Sequence, residues 1–169
     1  MFRKLTLTLT GVFTFLLFSA LTIAQDMDSN TSLVTKDTRS NLQIVNDMYN
    51  SFAKGDIPAV LVDMAPNIEW NESENFPYAD GNPYIGPDAV VNGVFKRLGE
   101  EWEYWKLTDQ VLYESQNNEI IVTGHYNAKY KKTGKEINAQ FVHIFWIENG
   151  KVLKFQQYAD TYQVNKAMQ

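Results

Sequence analysis

Three polar side chains in the C-terminal third of the sequence could act together in proton transfer. Asp160 closes one β-rich run, His143 lies in the run before it, and Tyr126 lies in the run before that. A carboxyl group in an apolar pocket loses hydration, which raises its pKa toward the range that suits proton transfer. An imidazole or a phenol nearby could polarise a substrate oxygen by donating a hydrogen bond. We therefore predict Asp160 as a catalytic acid or base, with His143 and Tyr126 as its catalytic partners.

Two of these residues also have a structural interpretation, which the sequence leaves open. Asp160 could end its strand and cap the turn of the chain at Thr161, and His143 could be a core histidine with satisfied hydrogen bonds. If both face one pocket, a strand rise of ~3.3 Å per residue separates them by about 13 Å. We therefore expect them to contact opposite ends of one ligand and not to bond to each other.

The elements that carry these residues are three β-rich runs, 119–131, 136–148 and 151–160, which are separated by Thr133-Gly134 and Asn149-Gly150. This pattern is typical of two consecutive β-hairpins. Two-residue turns would pair Gly124 with His143, Tyr126 with Phe141, His143 with Gln156, and Phe141 with Tyr158. A slip of one residue would exchange the two faces of a strand.

In that register, one face of the sheet lines a pocket that also contains Asp160. We expect the ligand contacts to come from Trp70, Tyr158, Phe141, Phe145, Gln156 and Tyr84, the last from a loop at 73–86 that could gate the pocket. Core packing is the alternative for these aromatic residues. The opposite face carries an apolar patch of Val142, Ile144, Trp146, Leu153 and Phe155, which predicts a homodimer formed through the sheet.

Helical patterns precede the sheet and determine the fold class. Ser40 and Gln43 form a capping box for a helix over 41–54. Asp56 can cap a short second helix, and Gly86-Pro87 starts a third. Three helices followed by a curved antiparallel sheet predict an α+β fold shaped like a cone.

Residues 1–24 have the layout of a secretory signal. Arg3 and Lys4 precede an apolar stretch, and Thr22-Ile23-Ala24 supplies the small residues that a signal peptidase reads. We expect cleavage after Ala24 and export to the periplasm or the medium. An uncleaved membrane anchor is the alternative, because the apolar stretch approaches the ~20 residues that span a bilayer. The predicted organisation is a signal peptide (1–24), a disordered tether (25–39), one domain (40–162) and a C-terminal tail (163–169).

Composition narrows the chemistry and the partners. The chain has no cysteine, so disulfides and thiol chemistry are excluded. Without residues 1–24, 13 basic and 20 acidic residues remain, a formal net charge of −7, which argues against nucleic acid as a partner. After signal cleavage we expect no stable membrane association.

Histidines on opposite sheet faces and the lack of a phosphate-binding loop predict neither a metal nor a cofactor. Four acidic residues, Glu69, Glu72, Glu74 and Asp80, are predicted to lie in a solvated loop, with cation binding as the alternative.

Several segments between Asn41 and Thr161 carry a family resemblance. They are 52–56, Ile68-Glu69-Trp70, 84–90, Val122-Thr123-Gly124, 141–145, 148–152 and Tyr158-Ala159-Asp160-Thr161. Together they resemble the SnoaL-like group of the nuclear transport factor 2-like (NTF2-like) superfamily, which includes ketosteroid isomerases and polyketide cyclases. The resemblance implies a cone with a deep apolar pocket and frequent dimerisation through the sheet. It also implies an acid/base aspartate near the end of the last strand, where Asp160 stands.

Two functional hypotheses follow from the predicted pocket and this resemblance. The first is cofactor-free isomerase, cyclase or dehydratase chemistry on a small hydrophobic molecule. The second is a noncatalytic exported protein that binds a small apolar metabolite, because apolar pockets also bind without reacting. The arginines Arg3, Arg39 and Arg97 lie off the predicted sheet, so the Asp-Arg-Asp set of limonene epoxide hydrolase has no match. Export also argues against polyketide cyclases, which generally act on intracellular intermediates.

Overall fold

The computed structural model describes residues 38–169. The predicted signal peptide and most of the predicted tether lie outside the described residues. The helices are α1 (Asn41–Ala53), α2 (Ile57–Val62), α3 (Pro87–Val90), α4 (Lys96–Glu101) and α5 (Thr161–Met168), with a π-helical turn at Val91–Phe95 between α3 and α4. The strands are β1 (Met64–Asn71), β2 (Tyr84–Ile85), β3 (Trp102–Glu114), β4 (Glu119–Tyr130), β5 (Glu136–Glu148) and β6 (Lys151–Ala159).

The strands form one curved sheet that does not close into a barrel, and the predicted α+β class is confirmed. Their order is β2-β1-β6-β5-β4-β3. All neighbours are antiparallel except β1 and β6, which run parallel, so the sheet is mixed where a fully antiparallel one was expected. The parallel pair brings the end of β1 beside β6, which places the loop after β1 next to the last strand.

Side-chain caps start the first two helices where the sequence predicts them. The Ser40 hydroxyl accepts a hydrogen bond from the Gln43 amide at 3.2 Å, and the Asp56 carboxylate accepts one from Ala59 at 3.1 Å. Arg39 forms ion pairs with Asp47 and Asp63, so the ordered domain includes the last residue of the predicted tether.

The first hairpin has a longer turn than predicted. The Tyr130 amide donates to the Lys135 carbonyl at 3.0 Å, so residues 131–134 form a four-residue connection. Gly124 therefore pairs with Phe141, and Tyr126 with Ala139. The predicted register is wrong by two residues. A shift of two leaves every side chain on its original face, because the side-chain period of a strand is two.

The second hairpin has the predicted two-residue turn, but β6 contains a bulge. Asn149 and Gly150 both have positive φ, as this turn requires, and Glu148 pairs with Lys151. The register then shifts, because Ile147 pairs with Val152 whereas Trp146 pairs with Lys154. One extra residue in β6 inverts the faces of the strand beyond it.

The inversion corrects several predicted positions in β6. Phe155 and Gln157 point inward and are buried, and Gln157 pairs with His143. Gln156 and Tyr158, predicted to contact ligand, lie on the outer face, where Tyr158 is 56% exposed. Phe155 accordingly leaves the predicted outer patch.

Residues 163–169 do not form the predicted tail. Residues 163–168 belong to α5, which Gln169 caps and whose Val164 and Ala167 are buried in the core. Asp160 is the N-cap of this helix: its carboxylate accepts a hydrogen bond from the Gln163 amide at 3.3 Å and one from the Gln163 side chain at 2.7 Å. The structural interpretation of Asp160 therefore agrees with the fold.

Tyr84, the predicted gating residue, is a fixed packing element beside the π-helical turn. Its buried ring lies between Gly81 and Gly93, and a Cβ atom added at either glycine would overlap it. The hydroxyl donates to the Tyr78 carbonyl at 2.7 Å and accepts from the Gly81 amide at 3.2 Å. Tyr84 thus holds the 73–86 loop against the helices.

We predict that Gly93→Ala destabilises the domain by about 1–3 kcal/mol, because the added methyl group displaces a ring that cannot move toward Gly81. Gly99→Ala in α4 is the matched control. A Cβ atom at Gly99 meets no atom within 4 Å, and alanine should stabilise that helix by about 0.5–1 kcal/mol. Urea unfolding of both variants measures the two free energies, and equal stabilities would contradict this role of Tyr84.

Candidate functional site

A cavity of about 70 Å³ lies between the helices and the inner face of the sheet. Its lining comes from α1, α2, the π-helical turn, α4, the loop after β1, and every strand except β2. The lining is mostly aromatic and aliphatic. Its polar members are Tyr49, Glu72, Tyr126, His143 and Gln157. By the space that one water requires, the volume corresponds to roughly five waters, which suits a small molecule or one ring of a larger one.

His143 joins two tyrosines inside this lining. Its Nδ1 atom lies 2.6 Å from the Tyr49 hydroxyl, and its Nε2 atom forms a short hydrogen bond with the Tyr126 hydroxyl. The histidine is buried, and burial lowers its pKa to about 3. The ring is therefore neutral near pH 7, with one nitrogen as donor and the other as acceptor.

Gln157 determines the orientation of Tyr126. Its Oε1 atom accepts a hydrogen bond from the Ser73 amide at 3.1 Å, and a backbone amide can only donate. The Nε2 atom must therefore be the group that donates to the Tyr126 hydroxyl, at 2.9 Å. Burial raises the pKa of Tyr126 well above its ordinary value, with a further rise from the charge of Glu72. The phenol thus stays protonated.

The protons of this cluster, defined as Tyr49, His143, Tyr126 and Gln157, can be counted. If Tyr49 donates to Nδ1, then Nε2 donates to Tyr126, and the Tyr126 proton has no acceptor among the four residues. If instead Tyr126 donates to Nε2, then Nδ1 donates to Tyr49, and the Tyr49 proton is left over. Either tautomer leaves one phenol proton, and both phenols line the cavity. The cluster can therefore donate one hydrogen bond to a bound ligand.

Glu72 is the only carboxyl group among the cavity residues that the structure describes. It follows β1 directly, and its backbone is held in both directions by Asn82: the Glu72 amide donates to Oδ1 at 3.0 Å and Nδ2 donates to the Glu72 carbonyl at 2.8 Å. The Trp70 indole donates to Oε1 at 2.6 Å. The side chain is fixed in place by these contacts.

The other oxygen of Glu72 has no partner within residues 38–169. Oε2 is buried and accepts no hydrogen bond. Solvent cannot readily replace the missing partner, because the whole residue is only 3% exposed. Burial raises the pKa of Glu72 to about 7, and the hydrogen bond from Trp70 limits the rise. A carboxyl group with this pKa can accept and return a proton near neutral pH.

Glu72 and Gln157 also line a second, polar depression on the surface, together with Asn71, Ser73, Glu74, Asn82, Gln156, Tyr158 and Ala159. Glu72 and Gln157 therefore lie between the cavity and this depression.

The predicted site residues separate into three groups. Trp70, Tyr126, His143 and Phe145 line the cavity. Phe141 lies behind it, stacked on Tyr126 and His143 with ring centroids 4.5 Å and 4.2 Å away. Tyr84, Gln156 and Tyr158 are outside the cavity, for the packing and register reasons given above.

Asp160 also lies outside the cavity, so the expectation that it faces the ligand is wrong. The bulge inverts the faces of the part of β6 that leads to Asp160. The Asp160 side chain is therefore exposed at the start of α5. The prediction that Glu72 lies in a solvated loop is also wrong, because this residue moves from the surface to the cavity. Glu72 is buried in the wall of the cavity, whereas Glu74 is exposed.

Three polar cavity residues were missed: Tyr49, Glu72 and Gln157. Glu72 had a signal in the sequence, since Ile68, Trp70 and Glu72 alternate along one strand face and the first two are apolar. Tyr49 had only a packing signal, since Val45, Tyr49 and Phe52 recur at helical spacing within the helix predicted over 41–54. Gln157 had no signal, because the sequence around it does not reveal the bulge.

Two further searches cover the described residues. Within 38–169, no helix is long and apolar enough to cross a membrane. The same range contains no group of three His, Asp or Glu side chains that could hold a metal ion.

A curved open sheet that encloses a cavity against N-terminal helices defines an NTF2-like protein, and comparison with solved structures agrees. An NTF2-like protein from Burkholderia thailandensis E264 is 37% identical, with 78% of this chain and 98% of that chain covered and a TM-score of 0.73. An NTF2-like protein of unknown function from Burkholderia pseudomallei K96243 is 26% identical, with 75% and 95% covered and a TM-score of 0.68.

The family assignment is more specific. The SnoaL-like domain matches residues 45–155, and the chain belongs to this family. The predicted resemblance is confirmed. The structure of TerC co-crystallised with polyporic acid is also similar in fold, at 20% identity, with 76% and 97% covered and a TM-score of 0.67. Comparison with curated proteins gave no match.

The raised pKa of Glu72 predicts a specific pH dependence of stability. In the unfolded chain Glu72 ionises around 4.5, whereas the folded protein keeps the proton up to about 7. Between these values the unfolded state binds fewer protons, so the free energy of unfolding falls as pH rises and levels off above about pH 7. The full loss that corresponds to a shift from 4.5 to about 7 is on the order of 3 kcal/mol.

Glu72→Gln removes this loss, because the amide stays neutral and its oxygen can still accept from Trp70. Relative to the wild type, the variant should gain stability between about pH 4.5 and about pH 7 in urea unfolding. Glu74→Gln, at an exposed neighbour, is the control and should give a flat difference over the same range. A flat difference for Glu72→Gln would show that the carboxyl group is hydrated.

Proposed function

We propose that this SnoaL-like protein binds a small hydrophobic molecule in the cavity and moves a proton on it without a cofactor, with Glu72 as the acid/base group. The observation that carries the proposal is the unpartnered Oε2 atom of a buried carboxyl group in a mostly apolar cavity. Perturbed carboxyl groups in clefts are candidates for functional sites. Family membership supports isomerase- or cyclase-type chemistry of this kind.

The geometry supports a two-part mechanism on a carbonyl-bearing substrate. Ionised Glu72 takes a proton from the carbon next to the carbonyl, and the C–H electrons move to form an enolate. The leftover phenol proton of the cluster, on Tyr49 or Tyr126, stabilises the oxygen as its negative charge develops. When the substrate also has a C=C bond between its β and γ carbons, the enolate is a dienolate, and protonated Glu72 then returns the proton to the γ carbon while the C=C bond moves into conjugation with the carbonyl, which completes an isomerisation. His143 holds the two phenols and stays neutral throughout.

Noncatalytic binding is the second candidate function, and the apolar lining of the cavity favours it. TerC was co-crystallised with polyporic acid, so a protein of this fold was crystallised with a small organic molecule. For the present chain, a small apolar metabolite would remain unchanged in the cavity under this alternative.

Hydrogen exchange distinguishes the two functions without knowledge of the substrate. The mature protein is incubated in D2O with small cyclic ketones such as cyclohexanone and 2-cyclopentenone, and deuterium next to the carbonyl is followed by NMR. The wild type should accelerate exchange, and Glu72→Gln should lose about 100-fold or more of that acceleration. Glu74→Gln, at the exposed carboxyl group two residues away, should retain it.

The possible outcomes separate the candidates. Full exchange activity in Glu72→Gln would remove Glu72 as the acid/base group. Line broadening of the ketone signals with no exchange in the wild type would favour noncatalytic binding.

Export and dimerisation complete the proposal. The N-terminal signal pattern supports cleavage after Ala24. The outer sheet face supports a homodimer, because Val111, Tyr113 and Tyr158 are 47%, 53% and 56% exposed there.

One native mass measurement on protein recovered from the exported fraction tests both points. We expect a polypeptide that begins at Gln25 and a complex of twice its mass. Tyr113→Glu should convert the complex to monomer, whereas Tyr162→Glu, at an exposed residue of α5, should not. An intact residue 1, or a monomer in the wild type at micromolar concentration, would contradict the corresponding proposal.

A further inference from the structure

The cavity lining contains a group that can carry negative charge but none that carries positive charge near neutral pH. Seventeen residues line it, and they include one carboxyl group but no lysine or arginine. The titratable groups that face it are Glu72 after β1, Tyr49 from α1, Tyr126 from β4 and His143 from β5. The residues from α2, the π-helical turn, α4, β3 and β6 contribute no titratable group. None of these groups supplies a positive charge near neutral pH, since His143 is neutral.

A buried carboxylate without a counter-charge is costly, and a ligand could provide that charge. Oε1 already accepts from Trp70, whereas Oε2 is free to accept a strong hydrogen bond. A charged N–H donor at Oε2 would neutralise the carboxylate and satisfy its open acceptor position together. A neutral hydroxyl group would donate a hydrogen bond to Oε2 but would not neutralise the carboxylate. An anion would neither donate a hydrogen bond nor neutralise the charge.

The aromatic lining has the same preference. Nine of the seventeen lining residues are Phe, Tyr or Trp, among them Trp70 and Trp105. Aromatic faces carry negative potential and attract ammonium groups, more strongly when water is excluded. The carboxylate and the aromatic rings therefore favour the same kind of ligand.

We propose that the cavity selects small apolar amines, bound as ammonium ions that donate a hydrogen bond to Oε2 of Glu72. This inference rests on the proposed function in one respect, namely that the cavity at Glu72 is the ligand site. It adds the chemical class of the ligand. An ammonium group at Oε2 occupies the atom that would take the substrate proton, so an amine bound in this way is a ligand of the site and not a substrate of the proton transfer described above.

Three ring compounds of similar size test the class: cyclohexylamine as the cation, cyclohexanol as the neutral compound and cyclohexanecarboxylate as the anion. Binding to the mature protein is followed by calorimetry and by tryptophan fluorescence, to which Trp70 and Trp105 of the cavity lining contribute. At about pH 8.5, where Glu72 is ionised, the amine should bind at least about tenfold more tightly than the alcohol. At about pH 5.5 the preference should largely disappear, because Glu72 is then protonated while the amine keeps its charge.

Two variants locate the effect. Glu72→Gln should bind the amine and the alcohol about equally at both pH values, and Glu74→Gln should keep the wild-type preference. Circular dichroism confirms that each variant is folded. Tighter binding of the alcohol or of the carboxylate at pH about 8.5 would overturn the amine class, as would the absence of amine binding at millimolar concentration. Equal loss of preference in both variants would also overturn it, because surface charge would then explain the binding.

The outcome is separable from that of the proton-transfer test. Ketone exchange that depends on Glu72 without any preference for amines would leave the proposed function standing and remove only this inference. A preference for amines without exchange would establish the ligand class for a noncatalytic binding protein.

Discussion

The extra residue in β6 determines which side chains reach the cavity. Between Val152 and Lys154 the register against β5 shifts by one, and every later residue of β6 changes face. Gln157 thereby turns inward, where it connects the Ser73 amide to the Tyr126 hydroxyl. Without the bulge, Gln156 and Tyr158 would occupy the inner face, and the amide that orients Tyr126 would point to the outside. The polar part of the site depends on this one irregularity.

The bulge acts together with the parallel pairing of β1 and β6. That pairing sets Trp70 opposite Phe155 and Asn71 opposite Gln156, so the chain leaving β1 runs alongside the inverted part of β6. The Trp70 and Phe155 rings stack with centroids 3.7 Å apart and form one wall of the cavity. Glu72 comes next in the chain, and Asn82 holds its backbone from the far side of the loop. Two strands that are distant in sequence thus bring the carboxyl group and the tyrosine cluster to the same cavity.

Much of the fold could be predicted because its signals are local. Ser40, Asp56 and the Asn149-Gly150 turn each act within a few residues, and each has the predicted role. The site depends on long-range register, which local signals do not determine. A four-residue turn at 131–134 changed the pairing of Tyr126 without changing its face, whereas a single bulged residue reversed Tyr158 and moved Asp160 out of the cavity. Predicted faces are therefore reliable only up to the first irregularity in a strand.

Glu72 shows why burial has to be considered with the contacts around it. A carboxyl group that costs stability when ionised could be replaced by a neutral side chain of the same shape at no loss of packing. The structure instead supports it with an indole that donates to one oxygen and with two hydrogen bonds between the Glu72 backbone and the Asn82 side chain, and leaves the second oxygen without a partner inside the cavity wall. These contacts fix the position of the group without removing its need for a proton or a positive charge. A ligand that supplies either one would recover part of the cost of burial, so we expect the unsatisfied oxygen that weakens the folded protein to strengthen binding.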